Sequence, residues 1–259
     1  MKALVGDIGN TNTKICLIET KNFKVKKMIY FNSINILLKN FLKKKLKTII
    51  KNKSMCEVAL FSSVVPKYYS ILKKIIKKNY KIKLREIKEK NIKKIVKINI
   101  KNKKQIGSDR IANAVGVYKK YKTNCIVLDF GTATTFDVVT KKGIYNGDII
   151  APGVNLSIKS LVRSADQIPV FSIKKQKKII GKNTIEALRS GFYWGYSGLI
   201  NSIVYKIEKE TNKKYKVIFT GGYANLFKTS IIRPFVIDKN ITIKGIIEIF
   251  KENRKILIK

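Results

Sequence analysis

The sequence predicts an α/β fold made of two related halves, each with a mixed β-sheet flanked by helices. One observation is that short apolar strands alternate with longer helical patterns. The other is a repeated motif, D-x-G-x-x-x-T, which follows an apolar strand at Asp7–Thr13 and again at Asp129–Thr135. The copies lie 122 residues apart (129 minus 7), nearly half of the 259-residue chain. Because an internal repeat is strong evidence about a fold, we expect domains at residues 1–118 and 119–259.

The first half opens with a strand meander. The predicted strands of the meander are Ala3–Ile8, Thr13–Glu19 and Lys24–Phe31, and a further strand is predicted at Val58–Ser62. Apolar residues at helical spacing predict a helix over Ile34–Ile50, and Pro66 suits the first turn of a second helix. Near-alternate isoleucines in Lys81–Lys104 predict edge strands joined by a mobile loop. Ser108 is the expected N-cap of a helix that runs to about Tyr121.

The second half repeats the strand, turn, strand order of the first. Its predicted strands are Ile126–Asp129, Thr135–Thr140, Ile144–Ile150, Val217–Thr220 and a short one near Val236. Helical periodicity predicts a long helix from about Asn183 to Glu210 and another at about Thr242–Glu252. The pair Gly221-Gly222 directly follows the fourth of these strands.

Composition excludes several classes of function. The chain has no histidine, which rules out serine–histidine and histidine–metal mechanisms and leaves acid–base chemistry to Asp, Glu, Lys or Tyr. Cys16, Cys56 and Cys125 lack metal-ligand spacing, so we expect buried thiols in a reducing compartment. No apolar run reaches the roughly 18 residues of a membrane span, and the first residues do not read as a secretory signal. We therefore expect a cytoplasmic protein without a membrane partner.

The net charge of +40 comes from 56 Lys and Arg against 16 Asp and Glu. Such a field attracts polyanions, including nucleic acids. The basic residues are mostly lysines spread over the whole chain, whereas arginine, which suits bidentate recognition of bases and phosphates, is scarce. We interpret the charge as lysine filling solvated faces through AT-rich codon usage, with non-specific polyanion binding and no specific nucleic-acid partner. A functional polyanion surface is the alternative.

The first copy of the motif has the residues of a phosphate-binding turn. Gly9 permits a sharp turn and close approach of a ligand, and the short polar side chains of residues 10–13 come with exposed N–H groups that suit an anion. Lys14 adds positive charge, and Asp7 is placed to hold a hydrated Mg²⁺ on phosphates. The turn is not a Walker A loop, because it joins two strands and lacks the G-x-x-x-x-G-K pattern. A plain hairpin turn is the alternative.

The segment Gly107-Ser108-Asp109-Arg110 opens a predicted helix. A helix N-terminus favours a carboxylate ligand, and Arg110 can grip a carboxylate with two hydrogen bonds. Asp109 can accept a proton from a substrate hydroxyl. On this segment alone, Asp109 is better explained as a stabilising charge in the first turn of a helix.

Six segments together resemble the type III pantothenate kinases of the actin, hexokinase and Hsp70 superfamily. In chain order they are DIGNTNT, GSDRIANAVG, DFGTATTFDVV, GDIIAPGV, IGKNTIEALRSGFYWGYSGLI and TGGYANL. The resemblance implies duplicated actin-like/ribonuclease H-like domains that hold a nucleotide between two phosphate turns. It implies ATP-dependent phosphorylation of pantothenate to 4′-phosphopantothenate, the first step of coenzyme A biosynthesis, by a homodimer.

The resemblance also implies a role for each matching residue. Asp109 would be the catalytic base, Asp129 would hold a monovalent cation (K⁺ or NH₄⁺), and Asp7 would hold Mg²⁺ through water. ATP would contact Asp7, Ile8, Gly9, Asn10, Thr11, Asn12, Thr13, Lys14, Thr132, Gly221 and Gly222. Pantothenate would contact Gly107, Ser108, Asp109, Arg110 and Thr184.

The chain departs from the family pattern just before Gly107. Where the family usually has an aromatic residue followed shortly by Asn-Pro, this chain has Ile100 and then Lys103 in the place of the proline. Two other functions stay open. One is an inactive relative that binds nucleic acid or regulates, and the other is a kinase or phosphatase of the same superfamily with another substrate, such as a sugar.

Overall fold

We describe the protein from a computed structural model, which covers residues 2–51, 56–229 and 231–258. The chain forms two compact units. Unit 1 comprises Met1–Tyr121, Gly143–Tyr145 and Asn240–Lys259, and unit 2 comprises Lys122–Lys142 and Asn146–Lys239. Within the described ranges, no helix is long and apolar enough to cross a membrane. The division into domains 1–118 and 119–259 stays a prediction.

Unit 1 is built on a five-stranded mixed sheet. Its strands are β1 (Lys2–Ile8), β2 (Asn12–Glu19), β3 (Val25–Asn32), β4 (Cys56–Ser63) and β5 (Lys83–Glu86). Their order across the sheet is β3-β2-β1-β4-β5, with β1, β2 and β3 antiparallel and β4 and β5 parallel to β1. The predicted meander is confirmed, and β5 lies at an edge of the sheet as predicted for this lysine-rich segment.

Two helices, α1 (Lys39–Ile49) and α2 (Pro66–Tyr80), supply apolar faces to the core of this sheet. Their buried residues recur at helical spacing and are Leu42, Leu46 and Ile49 in α1 and Leu72, Ile75 and Ile76 in α2. Pro66 occupies the first turn of α2, as predicted. The predicted helix over residues 34–50 is instead divided into a 3₁₀ helix, Ser33–Leu37, and α1.

Helices α3 (Ser108–Tyr121) and α6 (Ile241–Leu257) pack backbone against backbone in unit 1. A Cβ placed on Gly245 would lie 1.8 Å from the carbonyl oxygen of Ala112, and one on Gly116 would lie 2.5 Å from that of Ile241. The contact therefore requires glycine at both positions. The bounds of α3 match the prediction, and α6 is longer than predicted.

A short piece of chain flanked by residues of unit 2 completes unit 1. Strand β6 (Lys97–Ile98) pairs in parallel with the first two residues of β9 (Ile144–Pro152). Gly143 precedes them with φ +72°, and its Cα lies so close to the ring of Tyr118 that a Cβ would be 2.8 Å away. The positive φ and this approach both explain a glycine here.

Unit 2 has its own mixed sheet. It contains β7 (Cys125–Phe130), β8 (Ala133–Val139), the remainder of β9, β10 (Lys216–Gly221) and β11 (Phe235–Ile237). The order is β11-β10-β7-β8-β9, with β8 antiparallel to β7 and with β10 parallel to both β7 and β11. The predicted strand, turn, strand repeat is confirmed at β7 and β8.

Two helices within the described ranges cover this sheet, and only one of them was predicted. The long helix α5 (Thr184–Thr211) matches the prediction within one residue at each end. The other, α4 (Val154–Ser164), was missed, although its apolar residues Val154, Ile158, Leu161 and Val162 recur at helical spacing. The core contains stacked rings of Phe130, Tyr193 and Phe227, with centroids 5.3 and 5.9 Å apart.

The three cysteines are buried, as predicted. Burial raises the pKa of the Cys16 and Cys125 thiols to about 12 and that of Cys56 to about 11. Protonated, buried thiols are poor nucleophiles and poor metal ligands. These three residues therefore serve as small core hydrophobes.

Candidate active site

The turn between β1 and β2 is closed by its own backbone and braced from outside. The N–H of Gly9 donates to the carbonyl of Asn12 at 3.0 Å. Ser33 supplies the brace: its N–H donates to Thr11 O at 2.8 Å, its hydroxyl donates to Gly9 O at 2.7 Å, and its oxygen is 2.8 Å from Thr13 Oγ1. Asn10, Thr11 and Asn12 are exposed, whereas Thr13 is buried. The Thr13 hydroxyl therefore faces inward to Ser33, and the exposed donors are those of residues 10–12.

Asp7 and Lys14 lie on one face of the sheet, directly opposite each other on β1 and β2. Directly paired residues of neighbouring strands share a face. Tyr30 continues the row on β3, with the Lys14 ammonium 6.0 Å from the centre of its ring. A carboxylate and an ammonium therefore lie on neighbouring strands, and only the Ile8–Thr13 pair separates them from the turn. The Ile8 side chain is buried, and the Ile8 carbonyl accepts a hydrogen bond from the Val64 N–H.

Strand β4 connects this turn to the start of α3. Ser62 pairs in register with Asp7, and the Ser63 N–H donates to Ser108 Oγ at 2.8 Å. The Ser108 hydroxyl in turn donates to Ser63 O at 2.8 Å. Ser108 was predicted to cap α3, and this is wrong: it is the first residue of the helix and its hydroxyl bonds to β4 instead. The bonds bring residues 7–14 and 107–110 to the same end of the unit 1 sheet.

The Asp109 carboxylate is desolvated and held by a neighbouring N–H group. Its pKa is raised because burial removes water from the carboxylate, an effect that the Arg110 N–H, the Arg110 charge and the Lys88 charge oppose. The Arg110 N–H donates to Asp109 Oδ1 at 2.8 Å and fixes one oxygen. A Cβ on Gly107 would lie 2.4 Å from that oxygen, so only glycine leaves it room there.

Lys88 is a residue of this region that the sequence patterns did not single out. Its ammonium donates to Ile106 O at 2.8 Å and to Lys104 O at 3.2 Å, just before Gly107. Its backbone N–H donates to Glu86 Oε2 at 2.6 Å. Lys88 thus fixes the segment that leads into the start of α3. No periodicity or motif marks one lysine among so many, so the sequence offered no signal.

Arg110 extends from the first turn of α3 to Tyr145 on β9. Its Nη2 donates to the Tyr145 hydroxyl at 2.8 Å, and the guanidinium carbon is 6.0 Å from the centre of the tyrosine ring. Tyr145 is fully buried. Both residues belong to unit 1, although 35 positions separate them in sequence. The guanidinium is therefore held in place by a group that the motif analysis missed.

The second phosphate turn, in unit 2, lies beside the double-glycine turn. Strands β7 and β10 pair in parallel, with Thr220 opposite Asp129 and Gly221 opposite Phe130. Gly221 has φ +83°, and a Cβ there would lie 2.6 Å from Asp129 Oδ1. The Gly222 N–H donates to Phe130 O at 3.0 Å. The structure thus places Asp129 next to Gly221 and Gly222.

Thr132, in the same turn, lies against the start of α4. A Cβ on Gly153 would lie 2.2 Å from Thr132 O, so the residue before the helix packs directly on the turn. No side chain caps the first turn of α4. The turn also faces Thr135, whose partner on β7 is Asp129; its hydroxyl is buried and has no hydrogen-bond partner among the described residues.

Thr184 is the first residue of α5. Asn183 caps the helix by accepting the Glu186 N–H at 2.9 Å, and Glu186 Oε2 accepts the Lys182 N–H at 2.9 Å. This reciprocal arrangement fixes the entry into the helix. Thr184 is exposed and lines a groove of about 940 Å³ along α5, whose lining contains no other predicted site residue.

The comparison with known sequences decides the family. A sequence model of the type III pantothenate kinases matches residues 3–206. The type III pantothenate kinase of Pelagibacter ubique is 50% identical over 244 residues, 94% of this chain and 96% of that protein. The chain belongs to the type III pantothenate kinase family. Another type III pantothenate kinase, from Paramagnetospirillum magneticum, is 36% identical over 78% of each chain.

Solved structures show the same fold at low sequence identity. A Campylobacter jejuni protein described as a Baf family transcriptional activator has a TM-score of 0.62 at 21% identity, over 97% of this chain and 99% of that one. The ethanolamine utilization protein EutJ of Carboxydothermus hydrogenoformans has a TM-score of 0.56 at 13% identity, over 95% and 89%. These likenesses concern the fold alone, and the predicted α/β class, with two mixed sheets flanked by helices, is confirmed.

Proposed function

We propose that the protein catalyses ATP-dependent phosphorylation of pantothenate to 4′-phosphopantothenate, the first step of coenzyme A biosynthesis. The observation that carries the proposal is the Asp109 carboxylate, desolvated and held at the same end of the unit 1 sheet as the turn after β1. A base with a raised pKa and a phosphate-binding turn are the two parts that phosphoryl transfer to a hydroxyl requires. Membership of the type III pantothenate kinase family supplies the substrate.

In the proposed reaction, Asp109 accepts the proton of the primary hydroxyl of pantothenate. The hydroxyl oxygen forms a bond to the γ-phosphorus of ATP while the bond to the β–γ bridging oxygen breaks, so ADP leaves. Because Arg110 donates its N–H to Asp109 Oδ1, the carboxylate is oriented before substrate arrives. The Arg110 guanidinium is suited to the substrate carboxylate, and Thr184 to the hydroxyl groups.

The phosphates of ATP are proposed to contact both phosphate turns. In unit 1 the contacts come from the exposed donors of residues 10–12 and from Lys14, and the Ile8 and Gly9 backbone, whose polar groups bond within the turn and to its surroundings, gives the turn its shape. In unit 2 they come from Thr132, with Gly221 and Gly222 near the adenosine. Asp7 suits Mg²⁺ because it carries a carboxylate and is separated from the turn only by Ile8. Magnesium bound with ATP neutralises charge that develops on the phosphates.

A monovalent cation is proposed at Asp129, and the donors there suit it. Carboxylate and hydroxyl oxygens are the ligands of hard cations. The buried Thr135 hydroxyl lies opposite Asp129 in the β7–β8 pairing and lacks a partner among the described residues. Those residues contain no cluster of three His, Cys, Asp or Glu side chains that suits a metal ion. One carboxylate with neutral oxygens therefore matches K⁺ or NH₄⁺ better than a divalent ion.

Replacing Asp129 with alanine should abolish activation by K⁺, because the only charged oxygen ligand proposed for the cation is removed. The measurement is the rate of ADP release at saturating ATP and pantothenate as KCl replaces a salt of a large organic cation at constant ionic strength. Asp166→Asn, at an exposed position, is the control and should keep the wild-type response. An Asp129 variant with unchanged dependence on K⁺ would reject the cation assignment.

The groove along α5 supports a homodimer. Its lining is mainly apolar, and a Cβ on Gly191 or Gly195 would meet nothing within 4 Å, so this face of α5 is open. A second copy of the chain fits as the occupant, since Thr184 on its edge is a proposed pantothenate contact. A cytoplasmic location is proposed with it, as for other enzymes of central metabolism.

The proposal is tested by release of ADP from the purified protein with Mg-ATP and K⁺, with and without pantothenate. We expect release that depends on pantothenate and stays at background with glucose or N-acetylmannosamine. Release with a sugar alone would favour the alternative kinase of this superfamily. No release with any of these, together with nucleic-acid binding that weakens steeply with salt, would favour the inactive polyanion-binding protein.

A further inference from the structure

The contact between Arg110 and Tyr145 joins a charged side chain to a buried hydroxyl group. A buried tyrosine usually finds a hydrogen-bond partner for its hydroxyl, and a neutral partner is sufficient. Here the hydroxyl accepts a hydrogen bond from the charged Nη2 of Arg110 at 2.8 Å. Arg110 itself is only partly buried, so its guanidinium connects the buried tyrosine to the accessible start of α3.

Tyr145 is held rigidly by backbone pairing. The Asn99 N–H donates to Tyr145 O at 2.9 Å, and the Lys97 N–H donates to Gly143 O at 2.9 Å. The register places Ile98 opposite Tyr145, and Gly143 packs on the ring of Tyr118. With its backbone fixed by β6 and its side chain fully buried, Tyr145 offers its hydroxyl at a defined position.

Such an anchor matters for the long side chain that it holds. An arginine loses several torsional freedoms when its guanidinium is fixed on a ligand, and this loss weakens binding unless it has occurred beforehand. A guanidinium carries five N–H donors, so one bond to a tyrosine is compatible with a two-point grip on a carboxylate. Tyr145 therefore orients Arg110 without consuming its capacity to bind an anion.

We propose that Tyr145 is a positioning residue that, through Arg110, sets the specificity of the enzyme for the carboxylate of the substrate that it phosphorylates. The inference rests on the proposed function, because it takes Arg110 as the group that contacts the pantothenate carboxylate. Tyr145 acts on binding and not on the chemical step. Removing its hydroxyl is therefore expected to raise the KM, and only for substrates that carry the carboxylate.

The test is Tyr145→Phe, which keeps the ring and removes the hydroxyl. The substrates are pantothenate and its alcohol analogue, in which a CH₂OH group replaces the carboxylate. We expect the KM for pantothenate to rise about tenfold, the usual effect of losing one hydrogen bond to a charged group, with kcat within about twofold. The KM for the alcohol should stay within about twofold.

Tyr118→Phe is the matched control. It makes the same chemical change on α3, next to Gly143, without touching Arg110. We expect wild-type KM values for both substrates from this variant. An equal rise of KM for both substrates in Tyr145→Phe would mean a general loss of structure and would overturn the inference.

A double-mutant cycle with Arg110→Met gives a second measurement that needs only pantothenate. If Tyr145 acts through Arg110, Tyr145→Phe should change the KM by less than twofold when Arg110 is already methionine. The same tenfold rise in that background would overturn the inference. An active wild type with an insensitive Tyr145→Phe overturns the inference alone, whereas a wild type without pantothenate-dependent ADP release overturns the proposed function and the inference with it.

Discussion

Replacing Asp109 with asparagine should lower kcat by about 10²–10⁴, the usual contribution of a positioned general base. Asparagine keeps the size of the side chain and an oxygen that can accept the Arg110 N–H, but it cannot take a proton. The measurement is steady-state ADP release at saturating ATP and pantothenate. Because burial already disfavours the charged carboxylate, the substitution should not lower the thermal unfolding temperature.

The pH dependence provides the accompanying control. Since burial raises the pKa of Asp109, the wild-type kcat/KM should fall as the pH drops through that raised pKa, at a higher pH than for an ordinary aspartate. This loss of kcat/KM at low pH should be absent in Asp109→Asn and present in Asp166→Asn. Near-full activity of Asp109→Asn at neutral pH would remove Asp109 from the role of base.

Replacing Gly245 with valine should destabilise the protein by about 3 kcal/mol or more, at the high end for overpacking. The new Cβ would lie 1.8 Å from the carbonyl oxygen of Ala112, and a backbone atom cannot rotate away as a side-chain end can. Helices α3 and α6 would have to separate, and α3 carries Asp109 and Arg110. The measurement is urea unfolding followed by circular dichroism, together with the yield of soluble protein.

Lys255→Val is the matched control for this experiment. Lys255 lies in the same helix as Gly245 but is exposed, so valine there does not press on a neighbouring backbone. Valine is a poorer helix former than lysine by less than about 1 kcal/mol, so this variant should stay within about 1 kcal/mol of the wild type. Wild-type stability in Gly245→Val would contradict the close approach of the two helices.

The strands and most helices of this protein are predictable from sequence because their apolar residues recur with a clear period. The bounds of α3 and α5 follow from such patterns together with polar residues at their starts. Helix α4 has the same period at Val154, Ile158, Leu161 and Val162, and it was missed because the preceding Pro-Gly resembles a loop. Its position against Thr132 depends on a backbone approach at Gly153 that no local pattern records.

The candidate site divides in the same way. The residues of the two phosphate turns and of the start of α3 belong to motifs, and the structure groups them within each unit. No motif contains Tyr145, Lys88 or Ser33, because each of them forms its hydrogen bond with a segment far from it in sequence. Thr13 is a different case: strand alternation with Ile15 places it on the buried face, which the motif alone obscured.

Unit 1 consists of three separate segments of the chain, and this affects the order in which it folds during synthesis on the ribosome. The helix that carries Asp109 ends at Tyr121, but the helix on which it packs begins only at Ile241, 120 residues later (241 minus 121). At about 5–20 residues per second, the nascent α3 waits on the order of 6–24 s for its partner. The contact between α3 and α6 is thus among the last to form in the growing polypeptide, and chains truncated before Ile241 lack the helix on which α3 packs.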